Sequence, residues 1–425
     1  MSRYARDISP AQWKALVAAL LGWMLDGMDI MLYAFALGPI REEFGLNAAQ
    51  AGGLASATLV SSAFGGVLFG WLADRIGRAR SLVYSILTYS IFTALTATSR
   101  SVAELVVWRT LVGIGLGGEW SAGSVLVSET WPAAHRGKAI GFMQSGWAIG
   151  YILAALCAAL VIPGFGWRAL FVIGIVPAFL TVWIRSQVRE PEIWLALRGA
   201  GSTGDAAVRR RAPLREILQP PYLSRTVVAT LTATSVLFAY WGLFTWIPSF
   251  LAAPVEQGGA GLGIVRSTGW IVTMQVGAFF GYTLFGFGSD RFGRRPMFIA
   301  FLLGAALLVP VYSLLGRNEG VLLVLGPFVG FFGHGYFSVF GSMLAELFPT
   351  RIRALAQGLA YNSGRAVSAL APFTIGALAD AWGFGVALAG TSAFFLLGAG
   401  LVLLLPETRA ADLRGETVET MRGSG

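Results

Sequence analysis

Long apolar stretches alternate with short polar segments along almost the whole chain. Each stretch contains about 20 residues, the length of α-helix that crosses the hydrocarbon core of a bilayer. We predict twelve such membrane spans, with approximate bounds at 15–40, 52–73, 81–99, 103–127, 138–162, 167–187, 222–251, 266–288, 297–316, 320–345, 355–380 and 384–405. The pattern therefore predicts an all-α integral membrane protein, in which Pro248 ends or kinks span 7.

The longest polar segment, residues 188–221, divides the twelve spans into two sets of six. It contains several glycines and the basic run Arg209, Arg210 and Arg211. We therefore predict two six-helix bundles joined by a loop and followed by a tail. The predicted bounds are 1–195 for the first bundle, 196–220 for a cytoplasmic linker loop, 221–410 for the second bundle and 411–425 for a cytoplasmic tail.

Composition supports this class and excludes others. Only 12% of the residues are charged, about half of what soluble proteins contain. A single cysteine, Cys157, rules out a disulfide within the chain, and two histidines, His135 and His334, are too few for a His/Cys metal cluster. The sequence shows neither a nucleophile–base motif nor a phosphate-binding Gly-Lys-Ser/Thr loop. We expect no enzyme, no cofactor, no metal and no added signalling domain.

The basic residues indicate how the spans are oriented. Most of the 31 lysines and arginines fall in the segments on the same side as the N-terminus, whereas Arg41, Arg100, Arg168, Arg266 and Arg317 fall on the other side. Cytoplasmic loops carry the excess of positive charge, so both termini are predicted to be cytoplasmic. This use of basic residues explains the net charge of +9 without a nucleic-acid partner. We expect a monomer in a bacterial inner membrane.

The two halves repeat each other. Residues 70–78 after span 2 and 286–294 after span 8 share the pattern Gly-x-x-x-Asp-Arg-x-Gly-Arg, 216 positions apart. Glu129 and Glu346 follow spans 4 and 10 and precede Pro132 and Pro349, and Pro191-Glu192 matches Pro406-Glu407. Repeats of this kind build transporters whose two bundles rock about a central site.

Charged residues in these repeated loops are predicted to form a cytoplasmic latch between helix ends. The latch residues are Asp74, Arg75, Arg78, Glu129, Arg136, Asp290, Arg291, Arg294, Glu346 and Arg353. The alternative is that the arginines only set the orientation of the chain.

The loops resemble the signature loop of the major facilitator superfamily. In span 4, Arg109 to Trp120 resembles the family's Arg-x-x-x-Gly-x-Gly motif, and its Gly-Gly-Glu-Trp ending is similar to sialate/lactate–proton symporters. In span 1, Asp26-Gly27-Met28-Asp29 resembles the motif of aromatic-acid–proton symporters. The resemblance implies proton-coupled symport of a small organic anion by alternating access. Span 5 lacks the Gly-Pro motif of drug–proton antiporters, since it reads Gly146-Trp147-Ala148-Ile149-Gly150.

Ionisable residues inside the spans are candidates for the chemistry, because a charge at the bilayer centre costs roughly 3 kcal/mol or more. Asp26 and Asp29 share one helix face, where two carboxylates cannot both ionise without a large cost. We predict that Asp26, Asp29 and Glu119 carry the coupling proton. The alternatives are helix caps for the aspartates and a structural role for Glu119.

A substrate site is predicted between the bundles. A guanidinium can bind a carboxylate through two parallel hydrogen bonds, so Arg365 and Arg109 are the candidate anion contacts. The further candidates are Tyr361, Asn362, Gln144, Trp147, His334, Gln275 and Trp241. The alternatives are permanent ion pairs for the arginines, a backbone-bonded core position for His334, and packing for the aromatic residues. A sugar or polyol facilitator and a drug–proton efflux antiporter are the alternative functions.

Overall fold

The computed structural model describes residues 8–188, 190, 216–315 and 318–408. Its α-helices are Pro10–Phe44, Ala48–Ile76, Arg78–Thr96, Val102–Thr130, Ala133–Ile173, Val176–Gln187, Tyr222–Phe244, Ile247–Ala252, Gly263–Phe292, Arg294–Leu314, Glu319–Gly335, Phe337–Glu346, Thr350–Ser368, Ala371–Trp382, Phe384–Gly390 and Ser392–Leu403. In the described part of the chain these helices form twelve spans, each at a predicted position. The all-α membrane fold is confirmed.

Several spans are interrupted rather than continuous. The helix Ala133–Ile173 leaves helical geometry at Gly166, where φ is +74°, and this break separates spans 5 and 6. Span 7 ends its first helix at Phe244 and restarts at Ile247, next to the predicted break at Pro248. Spans 10, 11 and 12 are also each built from two helices. At a break, backbone N–H and C=O groups lose their helical hydrogen-bond partners. Membrane proteins tolerate this where neighbouring helices cover the break.

Eight helical segments of the described chain are long and apolar enough to cross a membrane by length and composition alone. One of them, Lys138–Ile184, contains both span 5 and span 6. Spans 3, 4 and 11 are not among the segments found in the described residues. Spans 4 and 11 carry the candidates Arg109, Glu119 and Arg365, whose polar side chains lower the average apolarity of these helices.

Small residues let the helices of each half approach closely. A Cβ atom at Gly117 in span 4 would collide with the carbonyl oxygen of Ser62 in span 2. In the second half, a Cβ atom at Gly330 in span 10 would collide with the carbonyl oxygen of Met274 in span 8. The main chains are therefore in direct contact, and the interior side chains are held in fixed positions.

We call the membrane face on which span 1 begins and span 12 ends the terminal face, and the other the opposite face. Near the opposite face the two halves contact each other through spans 2 and 11 and through spans 5 and 8. Asp380 of span 11 accepts hydrogen bonds from the amides of Ala48 (2.9 Å) and Ala49 (2.8 Å) at the start of span 2. The amide of Phe373 donates to Ser56 (3.2 Å). These contacts close the molecule at the opposite face.

Candidate functional site

The three predicted proton-coupling acids lie inside the first half. Asp26 and Asp29 of span 1 are 2% and 0% exposed, and Glu119 of span 4 is 1% exposed. Electrostatic interactions connect Asp26 with Asp29 and with Glu119. One oxygen of Asp26 and both oxygens of Asp29 and of Glu119 have no hydrogen-bond partner among the described residues. Buried carboxyl groups in this condition need a proton, a water molecule or a cation.

Arg109 lies beside Asp29. Its side chain is 1% exposed, interacts electrostatically with Asp29, and has its guanidinium carbon 4.6 Å from the centre of the Tyr33 ring. Nε and Nη1 have no hydrogen-bond partner in the described structure. The arginine is therefore held by a charge and by a ring face, and two of its donor atoms remain free for another acceptor.

Glu119 occupies a space that span 1 leaves open for it. A Cβ atom at Gly22 would collide with Oε1 of Glu119, and a Cβ atom at Gly123 would lie 3.4 Å from the same oxygen. The carboxyl group thus lies against the main chain of span 1, one helical turn from Asp26. Glycine at position 22 is required for this close approach.

Two buried side chains of span 3, Tyr89 and Thr93, were not among the predicted site residues. Both are 0% exposed, and neither hydroxyl has a hydrogen-bond partner among the described residues. Tyr89 interacts electrostatically with Asp26, Asp29 and Glu119, and Thr93 lies beside Asp29. The signal in the sequence is the repeat of hydroxyl side chains at Ser85, Tyr89 and Thr93, which places them on one helix face.

An aromatic cluster lies where the two halves meet. The ring centre of Trp147 in span 5 is 4.8 Å from that of Trp23 and 6.0 Å from that of Trp241 in span 7. On the second half, His334 of span 10 packs against Tyr240 (5.2 Å) and against Phe244 of span 7 (4.0 Å). The structure therefore brings Trp147, Trp241 and His334 into one connected set of rings.

Unpaired polar atoms accompany these rings. Buried side-chain atoms without a hydrogen-bond partner in the described structure include Gln144 Oε1, Trp147 Nε1, the Tyr240 hydroxyl, Trp241 Nε1, both amide atoms of Gln275 and His334 Nε2. The other ring nitrogen of His334, Nδ1, is 3.1 Å from the carbonyl oxygen of Gly330, the backbone contact of a core histidine. Apolar walls with a few unsatisfied polar groups are typical of small-molecule sites.

Arg365 and Asn362 take different positions on span 11. Arg365 is half-buried and interacts electrostatically with Asp26 across the two halves and with Tyr361 one turn away. Asn362 is exposed and shares its helix face with the exposed Leu355 and Leu359. The structure thus connects Arg365 to the acids, whereas Asn362, three positions earlier, is exposed and shows no hydrogen bond or electrostatic interaction with them among the described residues.

A narrow cavity adjoins Arg109 between the halves. Its walls include Tyr33, Thr58 and Arg109 from the first half and Trp241 and Thr245 from the second. The volume is about 20 Å³, enough for a water molecule but too small for an organic anion. The two halves therefore enclose the Arg109 guanidinium tightly on this side.

At the terminal face, the predicted latch residues of the second half form a cluster. Arg294 donates to Asp290 at 2.6 Å and contacts Glu346 at 3.4 Å. The Thr408 hydroxyl donates to Glu346 at 2.6 Å. Glu407 accepts hydrogen bonds from the amides of Arg294 (2.9 Å) and Arg295 (3.1 Å), so it caps the start of span 9.

The first half repeats the cap, with one correction to the sequence analysis. Glu190 accepts hydrogen bonds from the amides of Ala79 (3.2 Å) and Arg80 (3.1 Å) at the start of span 3. The motif alignment matched Glu407 with Glu192, which lies outside the described residues, but the acid in the equivalent position is Glu190. Glu190 precedes Pro191 in the first half, whereas Glu407 follows Pro406 in the second. Aligning the two prolines therefore paired Glu407 with Glu192 instead of Glu190.

The remaining latch residues have local contacts. Arg75 lies 4.0 Å from the centre of the Trp71 ring, and Arg291 lies 5.4 Å from that of Phe292. Arg78 donates to the carbonyl of Ala73 (2.9 Å), and Arg353 donates to that of Phe348 (3.2 Å). The side chains of Asp74, Glu129 and Arg136 lie outside the described part of the structure. Each contact named here joins residues of the same half.

Comparison with known families identifies the chain. The model of the Major Facilitator Superfamily matches residues 19–265 and again residues 259–420, one match for each half. The chain belongs to this superfamily. Its members and the relatives below are transporters, so this protein is a transporter and not an enzyme.

Two curated relatives match this transporter over nearly its full length. The cis,cis-muconate transport protein of Acinetobacter baylyi is 35% identical, and the match covers 93% of this chain and 95% of the relative. The niacin transporter of the same species is 30% identical over 94% of each chain.

Among solved structures, the xylose transporter of E. coli in a partially occluded inward open conformation is similar in fold. It superposes with a TM-score of 0.76 and 20% sequence identity, covering 96% of this chain and all of the other.

Proposed function

We propose that this transporter moves a small organic anion together with protons by alternating access. The observation that carries the proposal is the set of three buried acids in the first half, two of which interact with arginines, one on each half. Ionisable groups inside a bilayer cost free energy, so they are rare there and mark substrate or proton pathways. The relatives support the anion, because muconate and niacin both carry carboxylates.

The coupling follows from the two acid–arginine pairs. While Asp29 and Asp26 are ionised, they interact with Arg109 and Arg365. A proton on either acid removes the negative charge, and the guanidinium becomes available to bind a substrate carboxylate through two hydrogen bonds. The proton and the anion then enter together, and neither is held well without the other.

The aromatic cluster supplies the second set of substrate contacts. Gln144, Gln275 and His334 present unpaired polar atoms beside the rings of Trp147 and Trp241, which pack edge to face. These atoms would hold the body of the substrate while Arg365 binds its carboxylate. The same arginines argue against a sugar facilitator, which needs amide and hydroxyl contacts with little net charge.

Orientation and location are part of the proposal. The excess of basic residues in the segments of the terminal face supports a cytoplasmic position for both termini. The relatives support a bacterial inner membrane, and the protein is proposed to act as a monomer. The terminal-face clusters around Arg294 and Arg78 would then form the cytoplasmic latch.

Transport into proteoliposomes tests the proposal. Muconate, nicotinate and benzoate would be offered with and without an inwardly directed proton gradient, in which the outside is more acidic than the inside. Xylose would be the sugar control. We expect at least one carboxylate to accumulate only with the gradient, and a protonophore to prevent that accumulation. Uptake of xylose alone, or carboxylate uptake that ignores the gradient, would contradict the proposal.

A variant pair separates the acids from general charge effects. Asp29→Asn should abolish accumulation but preserve exchange of labelled substrate across the membrane. Glu104→Gln removes a carboxylate from the first turn of span 4, outside the acid cluster, and should leave both activities unchanged. Normal accumulation by Asp29→Asn would remove that acid from the coupling.

A further inference from the structure

Polar contacts of the first half form a ladder along one face of span 1. Gly22, which holds the Glu119 carboxyl group, is followed by Asp26, Asp29 and Tyr33 at intervals of three or four residues. This spacing places all four positions on one side of the helix. They extend over about 16 Å along the axis at 1.5 Å per residue, a large part of the membrane thickness.

The two ends of the ladder lie toward different faces. Arg109 and Tyr33 border the narrow cavity between the halves, nearer the opposite face. Glu119 lies toward the terminal face, because it is ten residues further along span 4 than Arg109 and that span ends at the terminal face. A proton that crosses the first half along this ladder must pass between Asp29, Asp26 and Glu119.

Tyr89 lies in the middle of this path. The Ser85 hydroxyl donates to the carbonyl of Gly115 at 2.7 Å, and a Cβ atom at Gly115 would meet the main chain of Tyr89. Spans 3 and 4 are therefore in backbone contact one turn before Glu119. From this contact the Tyr89 ring enters the core formed with span 1, and its hydroxyl is buried without a partner among the described residues.

We propose that the Tyr89 hydroxyl relays protons between Glu119 and the Asp26–Asp29 pair. This proposal rests on the proposed function, in which these acids carry the coupling proton. A phenol suits the role because its hydroxyl both donates and accepts one hydrogen bond. Tyr89 interacts electrostatically with all three acids. No other described group of the cluster is shown to interact with all three.

The transfer conserves protons and charge. The Tyr89 hydroxyl has no hydrogen-bond partner in the described structure, so the transfer requires a conformation in which an acid on each side reaches it. A protonated carboxyl group then donates its hydrogen to the Tyr89 oxygen, while the hydrogen already on that oxygen moves to an ionised carboxylate on the other side. One O–H bond breaks and one forms at each step, so tyrosine is neutral before and after. Rotation of the hydroxyl restores the starting arrangement for the next proton.

Tyr89→Phe tests the relay, since it keeps the ring and removes only the hydroxyl. In proteoliposomes we expect the maximal rate of pH-gradient-driven uptake to fall by about tenfold or more. The half-saturation concentration and the rate of substrate exchange without a gradient should remain close to wild type. A structural defect would instead lower exchange and uptake together.

Two control variants make the outcome specific. Tyr312→Phe removes another buried hydroxyl that lacks a partner in the described structure, but in the second half. Ser85→Ala removes the hydrogen bond between spans 3 and 4 without touching Tyr89. Both should retain gradient-driven uptake close to wild type.

The result also separates the relay from the proposed function. If Tyr89→Phe accumulates substrate like wild type while Asp29→Asn does not, the relay is wrong and the acid coupling stands. If neither variant changes gradient-driven uptake, both are wrong. A loss in Tyr89→Phe that Ser85→Ala reproduces would assign the effect to helix packing and overturn the relay.

Discussion

At the scale of single residues, the placement of Glu119 depends on a glycine in a neighbouring helix. Its carboxyl group lies against Gly22 where no Cβ atom can fit. The sequence identified Glu119 as a candidate proton-coupling acid, with a structural role as the alternative. No pattern of residues in the sequence could connect it with Gly22, 97 positions earlier. That contact depends on how spans 1 and 4 cross.

Gly22→Ala should therefore destabilise the protein by about 1–3 kcal/mol, because the added methyl group forces the carboxyl group or the helix to shift. Thermal unfolding in detergent measures the change. Gly141→Ala in span 5 is the matched control, since a Cβ atom there meets nothing within 4 Å. Equal unfolding temperatures for the two variants would show that Glu119 does not lie against Gly22.

Arg365→Ala should raise the half-saturation concentration for the carboxylate substrate by about tenfold or more, because a hydrogen-bonded charge contact contributes roughly 1.5–3 kcal/mol. Initial uptake rates measured over a range of substrate concentrations give this value. Asn362→Ala, three positions earlier and exposed, should change it little. Equal effects of the two variants would contradict a specific role for Arg365 in binding the carboxylate.

At the scale of elements, the apolar pattern predicted every span, because a bilayer requires a helix of that length wherever the chain crosses it. The pattern did not predict the breaks in spans 10, 11 and 12, since a few residues of irregular backbone do not change the average apolarity. It also missed Tyr89 and Thr93, because a repeat of hydroxyl side chains along one helix face does not identify a site until the side chains packed against that face are known.

The helix caps are a feature of elements that can be tested in both halves. Glu407→Ala and Glu190→Ala each remove an acceptor from the first amides of a span, and the loss of a cap costs about 1 kcal/mol. Amide hydrogen exchange should become faster at the start of span 9 in the first variant and of span 3 in the second. Glu256→Ala, in an exposed loop, should leave both regions unchanged; unchanged exchange in the cap variants would contradict the repeat of the cap.

At the scale of the whole molecule, the two halves share one fold but differ in chemistry. The acids lie in the first half, whereas His334, Gln275 and much of the aromatic cluster lie in the second. The electrostatic interaction of Asp26 with Arg365 joins them. Rocking of the halves would change the distance between these two groups, which is how the conformational change can depend on the proton.

Opening the opposite face requires Asp380 to release the amides of Ala48 and Ala49. Asp380→Ala should therefore shift the population toward a state open at that face. A cysteine introduced at Thr245, in a chain whose single natural cysteine is replaced by Cys157→Ser, should react faster with an impermeant maleimide. Glu256→Ala is the control, and an unchanged labelling rate in Asp380→Ala would exclude Asp380 from this closure.

The most direct test of the central claim is proton uptake by the purified transporter when substrate binds, measured with a pH indicator in weakly buffered detergent solution. Wild type should take up protons on addition of a transported carboxylate, and the double variant Asp26→Asn with Asp29→Asn should take up none while it still binds the anion. Equal proton uptake by both proteins would contradict the assignment of these acids as the coupling site.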